Sequence, residues 1–296
     1  MKRAIILLLG IFYLGNVSAQ KTPVSDSSTE LKADHPLMIN SNTPHAPVIV
    51  SPYKTTFVKD GITIAATVGA TLVGYSLIKN KHDLTMAELA TKTKSSLPFF
   101  DRFVAGNYSA RANKDSYILF DGSYAIPVAA ALINGKERTK FGQVMVMYLE
   151  TMGITGAMYT LTAGLVYRSR PFVYGEKAPL EKRLDKGGQR SFYGGHVATT
   201  AAATFFTAKV FQDFNPGSRV TPYLYTGAGV LTAVMAYERM RAGYHFFSDC
   251  VLSGIIGAAT GIVVPQLHKR KDFKNISLTP FYQNNAKGFS LVYRFK

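Results

Sequence analysis

Six long apolar stretches, separated from one another by charged segments, constrain the fold of this 296-residue chain more than any other feature. Each is too long for an ordinary strand, so the pattern predicts an all-α bundle of about six long helices. The stretches are rich in Gly, Ala and Thr, which let helices approach closely in a membrane or in a compact soluble bundle. They cover residues 61–78, 117–133, 143–167, 196–211, 220–237 and 249–267.

The first 20 residues have the anatomy of an export signal. A basic start precedes an apolar run at 4–14 and a small-residue exit at Ser18-Ala19. The run is shorter than the about 20 residues that a spanning helix needs. We therefore predict a signal peptide at 1–20, with an uncleaved anchor as the alternative. Residues 21–56, rich in Ser, Thr, Pro and Asn, predict an extended leader.

The remaining chain divides by pattern into a helical domain and a different tail. The helical domain is predicted over 57–267, with a polar insert at 80–116 that we expect to lie outside any membrane. Residues 268–296 begin with a basic segment. They continue as two runs around QNNAKG, the second of which alternates apolar and polar residues, and this predicts a short C-terminal β-hairpin.

The charge balance indicates an anionic partner. Lys and Arg number 34 against 18 Asp and Glu, a formal net charge of +16. Such a surface attracts the phosphates of nucleic acid, of anionic lipid or of a small substrate. Export and the lack of any nucleic-acid-binding motif argue against nucleic acid, so we expect none. The single cysteine, Cys250, excludes a disulfide framework and a cysteine-based zinc site within one chain.

Loop charge predicts an orientation but leaves a conflict. Short basic loops at 134–141 and after the last apolar stretch favour the cytoplasmic face, which puts 168–195 and 238–245 on the outer face. A cleaved signal starts the chain outside, however, and six spans from there would place these segments inside. Either one stretch does not span, or the protein is a soluble or peripheral helical bundle of the periplasm.

Three polar clusters lie at the edges of apolar stretches. Their residues are Arg168 and Arg170 in the first, Gly195 and His196 in the second, and Arg239, His245 and Asp249 in the third. Guanidinium groups orient phosphoryl oxygens, and one imidazole can act as nucleophile while another protonates the leaving oxygen. A helix beginning at the second cluster would add the positive end of its dipole. Such a set suits a phosphoryl group and requires no metal.

The clusters resemble the three motifs of the type 2 phosphatidic acid phosphatases, a family related to bacterial acid phosphatases and vanadium haloperoxidases. Arg170-Pro171 resembles the end of the first motif and Gly195-His196 the end of the second. The third is matched by Arg239, five residues, His245, three residues and Asp249. The resemblance covers about residues 163–267. It implies a helical bundle of this family's type, with no cofactor.

The resemblance also implies a role for each residue. His245 would attack phosphorus and form a phosphohistidine, Asp249 would orient its ring, and His196 would protonate the departing alcohol. Arg170, Arg239 and the Gly195 amide would hold the phosphoryl oxygens. The chain departs from the family at four positions, where Ala163 replaces a lysine, Tyr193 a proline, and Gly194 and Glu238 serines. Candidates to replace the lost phosphate contacts are Arg168, Arg241 and Lys177.

The function implied is metal-independent hydrolysis of a phosphate monoester on a membrane lipid, by an inner-membrane protein whose site faces the periplasm. Segment 168–195 carries seven basic and three acidic side chains, which favours an anionic headgroup. Lipid A, at its 4'-phosphate, ranks first because of this loop and the long insert, ahead of phosphatidate and undecaprenyl pyrophosphate. Two alternatives stay open: a vanadium-dependent haloperoxidase and a non-catalytic anion-binding envelope protein.

Overall fold

The computed structural model describes residues 50–270 and two backbone strands at 276–283 and 286–293. The predicted signal peptide at 1–20 and the predicted leader up to residue 49 lie outside the described residues.

Six helices of 20 to 25 residues dominate the described part of the chain, which confirms the predicted all-α fold. Three helices of four or five residues lie in the connections. In chain order the helices are α1 Phe57–Lys79, α2 Met86–Ala90, α3 Ala110–Ile133, α4 Gly135–Arg138, α5 Phe141–Leu165, α6 Leu180–Leu184, α7 Gly195–Phe214, α8 Thr221–Arg241 and α9 Phe247–His268.

Capping residues explain where helices begin. Helix α3 starts at Ala110 rather than at the predicted residue 117, because the Ser109 hydroxyl accepts a hydrogen bond from Ala112 N at 3.2 Å. In the polar insert, Thr85 caps α2 and forms a reciprocal pair with Glu88, whose carboxylate accepts from Thr85 N at 2.8 Å. Such caps satisfy amides that have no partner within the helix.

Helix α7 forms the centre of the bundle and packs against α3, α5, α8 and α9. It is built largely from Ala and Thr, and 16 of its 20 residues are buried. Along α9, Gly257 and Gly261 lie directly against the backbone of Ala198 and Ala202, where a Cβ atom would overlap the carbonyl oxygens. Small residues therefore bring the two backbones into contact, as the composition of the stretches predicts.

Three of the described helices, α1, α3 and α9, are long and apolar enough to cross a membrane. Helix α1 packs mainly on α5 and leaves most of its apolar surface exposed, including Ile62, Val68 and Leu72. Apolar exposure of this kind is typical of a membrane protein.

Two strands, β1 Ile276–Gln283 and β2 Ala286–Tyr293, follow the helices and pair antiparallel. Ile276 is opposite Tyr293, and Gln283 is opposite Ala286. Residues 284–285, which would form the turn, lie outside the described residues, so the predicted hairpin as a whole stays a prediction.

Candidate active site

The chemically important residues converge where four helix ends meet. Alternating helix directions bring the end of α5, the start of α7, the end of α8 and the start of α9 to one end of the bundle. The polar insert closes over this end: Gly106 N donates to Pro171 O at 2.7 Å, and Ser248 N donates to Asp101 at 3.0 Å.

His245 is buried in the short loop between α8 and α9. Its Nδ1 lies 2.6 Å from the carbonyl oxygen of Ser191. A carbonyl only accepts hydrogen bonds, so Nδ1 carries the proton and Nε2 keeps its lone pair. Burial, with Arg239 and Arg170 nearby, lowers the pKa of His245 well below its usual range. The ring is therefore neutral and suited to act as a nucleophile.

Gly243 makes the turn that presents this histidine. Its φ of +77° lies in the left-handed region, and a Cβ atom there would overlap the backbone of Asn107. Its carbonyl accepts from Phe172 N at 3.1 Å. Both the conformation and the close approach require glycine at this position.

Two buried arginines flank the histidine. Arg170 is 6 % exposed and Arg239 2 %. Their guanidinium carbons lie 4.5 and 4.3 Å from the centre of the Tyr244 ring, so one ring packs against both. Burial, together with the charge of Arg190, lowers the pKa of Arg170 to about 10, which still leaves it protonated at neutral pH.

The described hydrogen bonds of these two arginines go to neutral acceptors. Arg170 Nε donates to the carbonyl of Arg190 at 3.3 Å. Arg239 donates to the Asn113 amide oxygen and the Ser116 hydroxyl, both at 2.9 Å. Two buried positive charges without a carboxylate are costly unless an anion joins them, which is the electrostatic character of an anion-binding site.

His196 is the second residue of α7 and faces the same charges. Its ring centre lies 4.2 Å from that of Phe120 and 4.8 Å from that of Tyr117. Its Nε2 is buried and has no hydrogen-bond partner within the described residues, and the same is true of Arg239 Nε. Two buried polar atoms therefore lack, among the described residues, the partner that burial normally requires.

Gly195 begins α7, so its amide has no acceptor within the helix. A Cβ atom here would lie 2.8 Å from the Tyr159 ring, which explains the glycine by close packing. The amide and the helix dipole can both stabilise an anion.

Asp249 reaches the His245 ring indirectly. Its Oδ2 accepts from the Ser191 hydroxyl at 2.6 Å and from Phe246 N at 2.9 Å. Ser191 in turn holds His245 through its carbonyl. Direct orientation of the ring by Asp249, as the resemblance implied, is therefore replaced by orientation through Ser191.

Comparison with known proteins finds one family model that matches part of the chain. Residues 145–273 match the family model described as the PAP2 superfamily. This segment, which is less than half of the chain, contains all three predicted motifs, from Arg170 to Asp249. A crystal structure of a transmembrane PAP2-type phosphatidylglycerolphosphate phosphatase from Bacillus subtilis is similar at 16% identity and a TM-score of 0.35, covering 71% of this chain and 92% of that one. The search of curated proteins finds no match.

Within the PAP2 segment, Arg168 has contacts other than those predicted. One terminal nitrogen of Arg168 forms an ion pair with Asp249, and the other forms one with Asp101 at 2.6 Å. Each of these two nitrogens also lies 3.2 Å from the Ser248 hydroxyl. The prediction that Arg168 holds phosphate oxygens does not fit these contacts, because two carboxylates already neutralise it. Arg168 instead joins the insert to the start of α9.

The other two candidates to replace the lost phosphate contacts are exposed. Arg241 is exposed and pairs with Glu238 at 3.1 Å, and Lys177 is exposed. Sequence reasoning missed Lys81, which is buried and donates to Val166 O at 2.7 Å and Gln189 O at 3.0 Å. Burial, Arg190 and Arg170 lower its pKa to about 8. Lys81 thereby joins the segments before and after Arg170 in the loop between α5 and α7.

Sequence reasoning also gave no role to Ser191, Tyr244 or Asp101, which orient or pack against the residues of the site. A serine, a tyrosine and an isolated aspartate have no motif of their own, and each acquires its partners only through folding.

Proposed function

We propose that the protein is a phosphatase that removes a phosphate monoester from a membrane lipid. The observation that supports this most strongly is the pair of buried guanidinium groups, Arg170 and Arg239, which have neutral partners and lie beside two imidazoles. A phosphate dianion would supply the missing negative charge and accept from the unpartnered atoms. The match of residues 145–273 to the PAP2 superfamily model supports the same reaction class.

In the proposed reaction, Arg170, Arg239 and the Gly195 amide hold the phosphoryl oxygens. His245 Nε2 attacks phosphorus as the bond to the lipid oxygen breaks, and His196 donates a proton to that oxygen. The bound dianion offsets both guanidinium charges and so favours the protonated form of His196. Water then attacks the phosphohistidine, His196 takes its proton, and phosphate leaves with His245 neutral again.

An exposed aromatic patch beside the site favours a lipid over a soluble ester. Phe99, Phe100 and Phe103 of the insert and Phe247 of α9 are 40 to 80 % exposed. Phe103 and Phe247 have ring centres 6.0 Å apart, and Phe247 is two residues from His245. Acyl chains could lie on this patch while the phosphate binds beside Arg170, Arg239 and the two imidazoles.

Lipid A, at its 4'-phosphate, is the first proposed substrate, followed by phosphatidate and undecaprenyl pyrophosphate. The basic loop at 168–195 and the polar insert at 80–116 support a large anionic headgroup. We place the catalytic domain at 57–267 of an inner-membrane protein, with its site facing the periplasm.

The test is phosphate release by the purified full chain in detergent from each of these three lipids, with loss of one phosphate followed by mass spectrometry. We expect His245→Gln to abolish release. We expect His196→Gln to slow release by about 10²- to 10⁴-fold from lipids, and less from nitrophenyl phosphate, whose leaving group needs little protonation.

His82→Gln is the control, because His82 is a histidine with a side chain 61% exposed in the insert. A trapped phosphate label that survives base, disappears in acid and requires His245 would support the covalent step. Wild-type activity in His245→Gln would refute the site. Phosphate binding without release from any substrate would favour the non-catalytic alternative.

A further inference from the structure

Three acid–base side chains form a second polar cluster at the opposite end of the bundle. Asp60 lies in the first turn of α1, Glu150 in α5, and His268 is the last residue of α9. At the helical rise, His268 lies roughly 30 Å along α9 from Asp249. The cluster is therefore separate from the proposed phosphatase site.

The geometry of the cluster fits a metal ion. One ligand atom from each residue lies within 4.8 Å of the others. His268 Nε2 is 3.1 Å from a Glu150 oxygen and 3.5 Å from an Asp60 oxygen. Two atoms that each bind one ion at about 2.1 Å lie roughly 3.0 to 3.4 Å apart, so the distances resemble the edges of a coordination polyhedron.

The histidine is held as metal-binding histidines are. Its Nδ1 donates to the carbonyl oxygen of Val264 at 2.9 Å, one turn earlier in α9. The Nε2 lone pair consequently points at the two carboxylates. A backbone carbonyl behind a ligating imidazole is the usual second contact that fixes its tautomer.

Charge balance also calls for a cation. Asp60 is 7 % and Glu150 3 % exposed, and the ion pairs described for both are with His268. The nearby Lys209 and Lys269 pair with a different carboxylate, Asp213. A divalent ion between these two buried carboxylates and the Nε2 lone pair would balance their negative charge.

We propose that Asp60, Glu150 and His268 bind one divalent transition-metal ion, of the Zn²⁺ or Mn²⁺ class, that ties α1, α5 and α9 together. One imidazole and two carboxylates are ligands that such ions accept. The ion would be structural, and it adds to the sequence-based prediction, which named no metal. The proposal does not depend on the phosphatase function.

The test measures metal on the full chain in detergent after its affinity tag has been removed. We expect about one equivalent of Zn²⁺ or Mn²⁺ by elemental analysis, and a Co²⁺-substituted protein with a visible absorption band. Chelation should lower the melting temperature of the wild type, and adding Zn²⁺ should restore it. This comparison needs no variant and therefore does not depend on a variant's folding.

The variants then locate the ion. We expect Glu150→Gln and His268→Gln to weaken binding at least tenfold, whereas Asp213→Asn, a buried acid at the same end, should leave it unchanged. The proposal is overturned if the wild type binds no stoichiometric metal, since the cluster is then an imidazolium between two carboxylates. Equal binding by all variants would also overturn it.

Discussion

At the residue scale, burial and pairing distinguish two kinds of arginine within residues 145–273: one is paired with carboxylates, and two have neutral partners. Arg168 is neutralised by Asp101 and Asp249, and it links elements. Arg170 and Arg239 are more deeply buried and keep neutral partners, so their charge is available to a ligand. Two arginines two residues apart thus have different roles.

Removing the Arg168 charge should destabilise the protein strongly. Arg168→Gln leaves Asp101 and Asp249 buried without their cation, which we expect to cost about 3 kcal/mol of unfolding free energy. Adding Asp101→Asn should recover part of that loss, because one unpaired charge disappears. Denaturant or thermal unfolding of the two single variants and the double variant measures this coupling. Strict additivity of the single effects would contradict it.

The lowered pKa of His245 predicts how stability depends on pH. The unfolded chain protonates this histidine near pH 6.5, whereas the folded chain keeps it neutral. Its contribution is therefore fully present above that pH and is lost as the pH falls, because only the unfolded state takes up the proton. We expect the melting temperature to fall between pH 7 and 5, and to fall less in His245→Gln. An identical pH profile in the variant would contradict the assignment.

Sequence reasoning located the residues that converge at the candidate active site. It did not predict the contacts of residues whose role depends on a distant partner. Motifs can be identified from their spacing in the sequence alone, and they contain Arg170, His196, Arg239 and His245. The roles of Arg168 and Asp249 depend on Asp101 and Ser191, which are 58 to 67 residues away in sequence. Neither partner has a local pattern that reveals such contacts.

At the element scale, apolar length predicted the six long helices, and capping residues set their ends. The predicted stretch at 117–133 began too late because the first turns of α3 are polar, and Ser109 fixes the true start. The central position of α7 was not predictable, because its Ala and Thr residues carry no strong apolar period.

The contact between α7 and α9 predicts a sensitive position at Gly257. A Cβ atom there would overlap the Ala198 carbonyl, so Gly257→Ala must push the helices apart. We expect a loss of about 1 to 3 kcal/mol in unfolding free energy and reduced phosphate release. Gly227→Ala in α8 is the control, since nothing lies within 4 Å of that position. Equal stability of both variants would contradict the packing argument.

At the scale of the whole molecule, the two ends of the bundle have different chemistry. One end carries the histidines and arginines under the polar insert, and the other carries the carboxylate–histidine cluster and the basic turn of α4. The apolar helices α1, α3 and α9 lie between them. A membrane would separate two compartments that face different groups.

Cysteine labelling tests the proposed orientation. Cys250 is the single cysteine and is buried, so a Cys250→Ser background can carry a reporter at either end. Lys177→Cys marks the active-site end and Arg138→Cys marks α4, and both positions are exposed. We expect an impermeant maleimide to label position 177 in intact spheroplasts and position 138 only after lysis. The reverse pattern would refute a periplasmic site, and release of the protein by a carbonate wash would show a peripheral protein.

The close approach of α7 and α9 also fixes the separation of the two imidazoles. His196 lies in the first turn of α7 and His245 immediately before α9. Gly257 and Gly261, about three to four turns into α9, contact Ala198 and Ala202 in the first two turns of α7. Contact between bare backbones prevents one helix from sliding past the other by a turn of about 5.4 Å. The two glycines thus hold the two imidazoles at a fixed spacing, and in the proposed reaction that spacing is the space in which phosphorus is transferred.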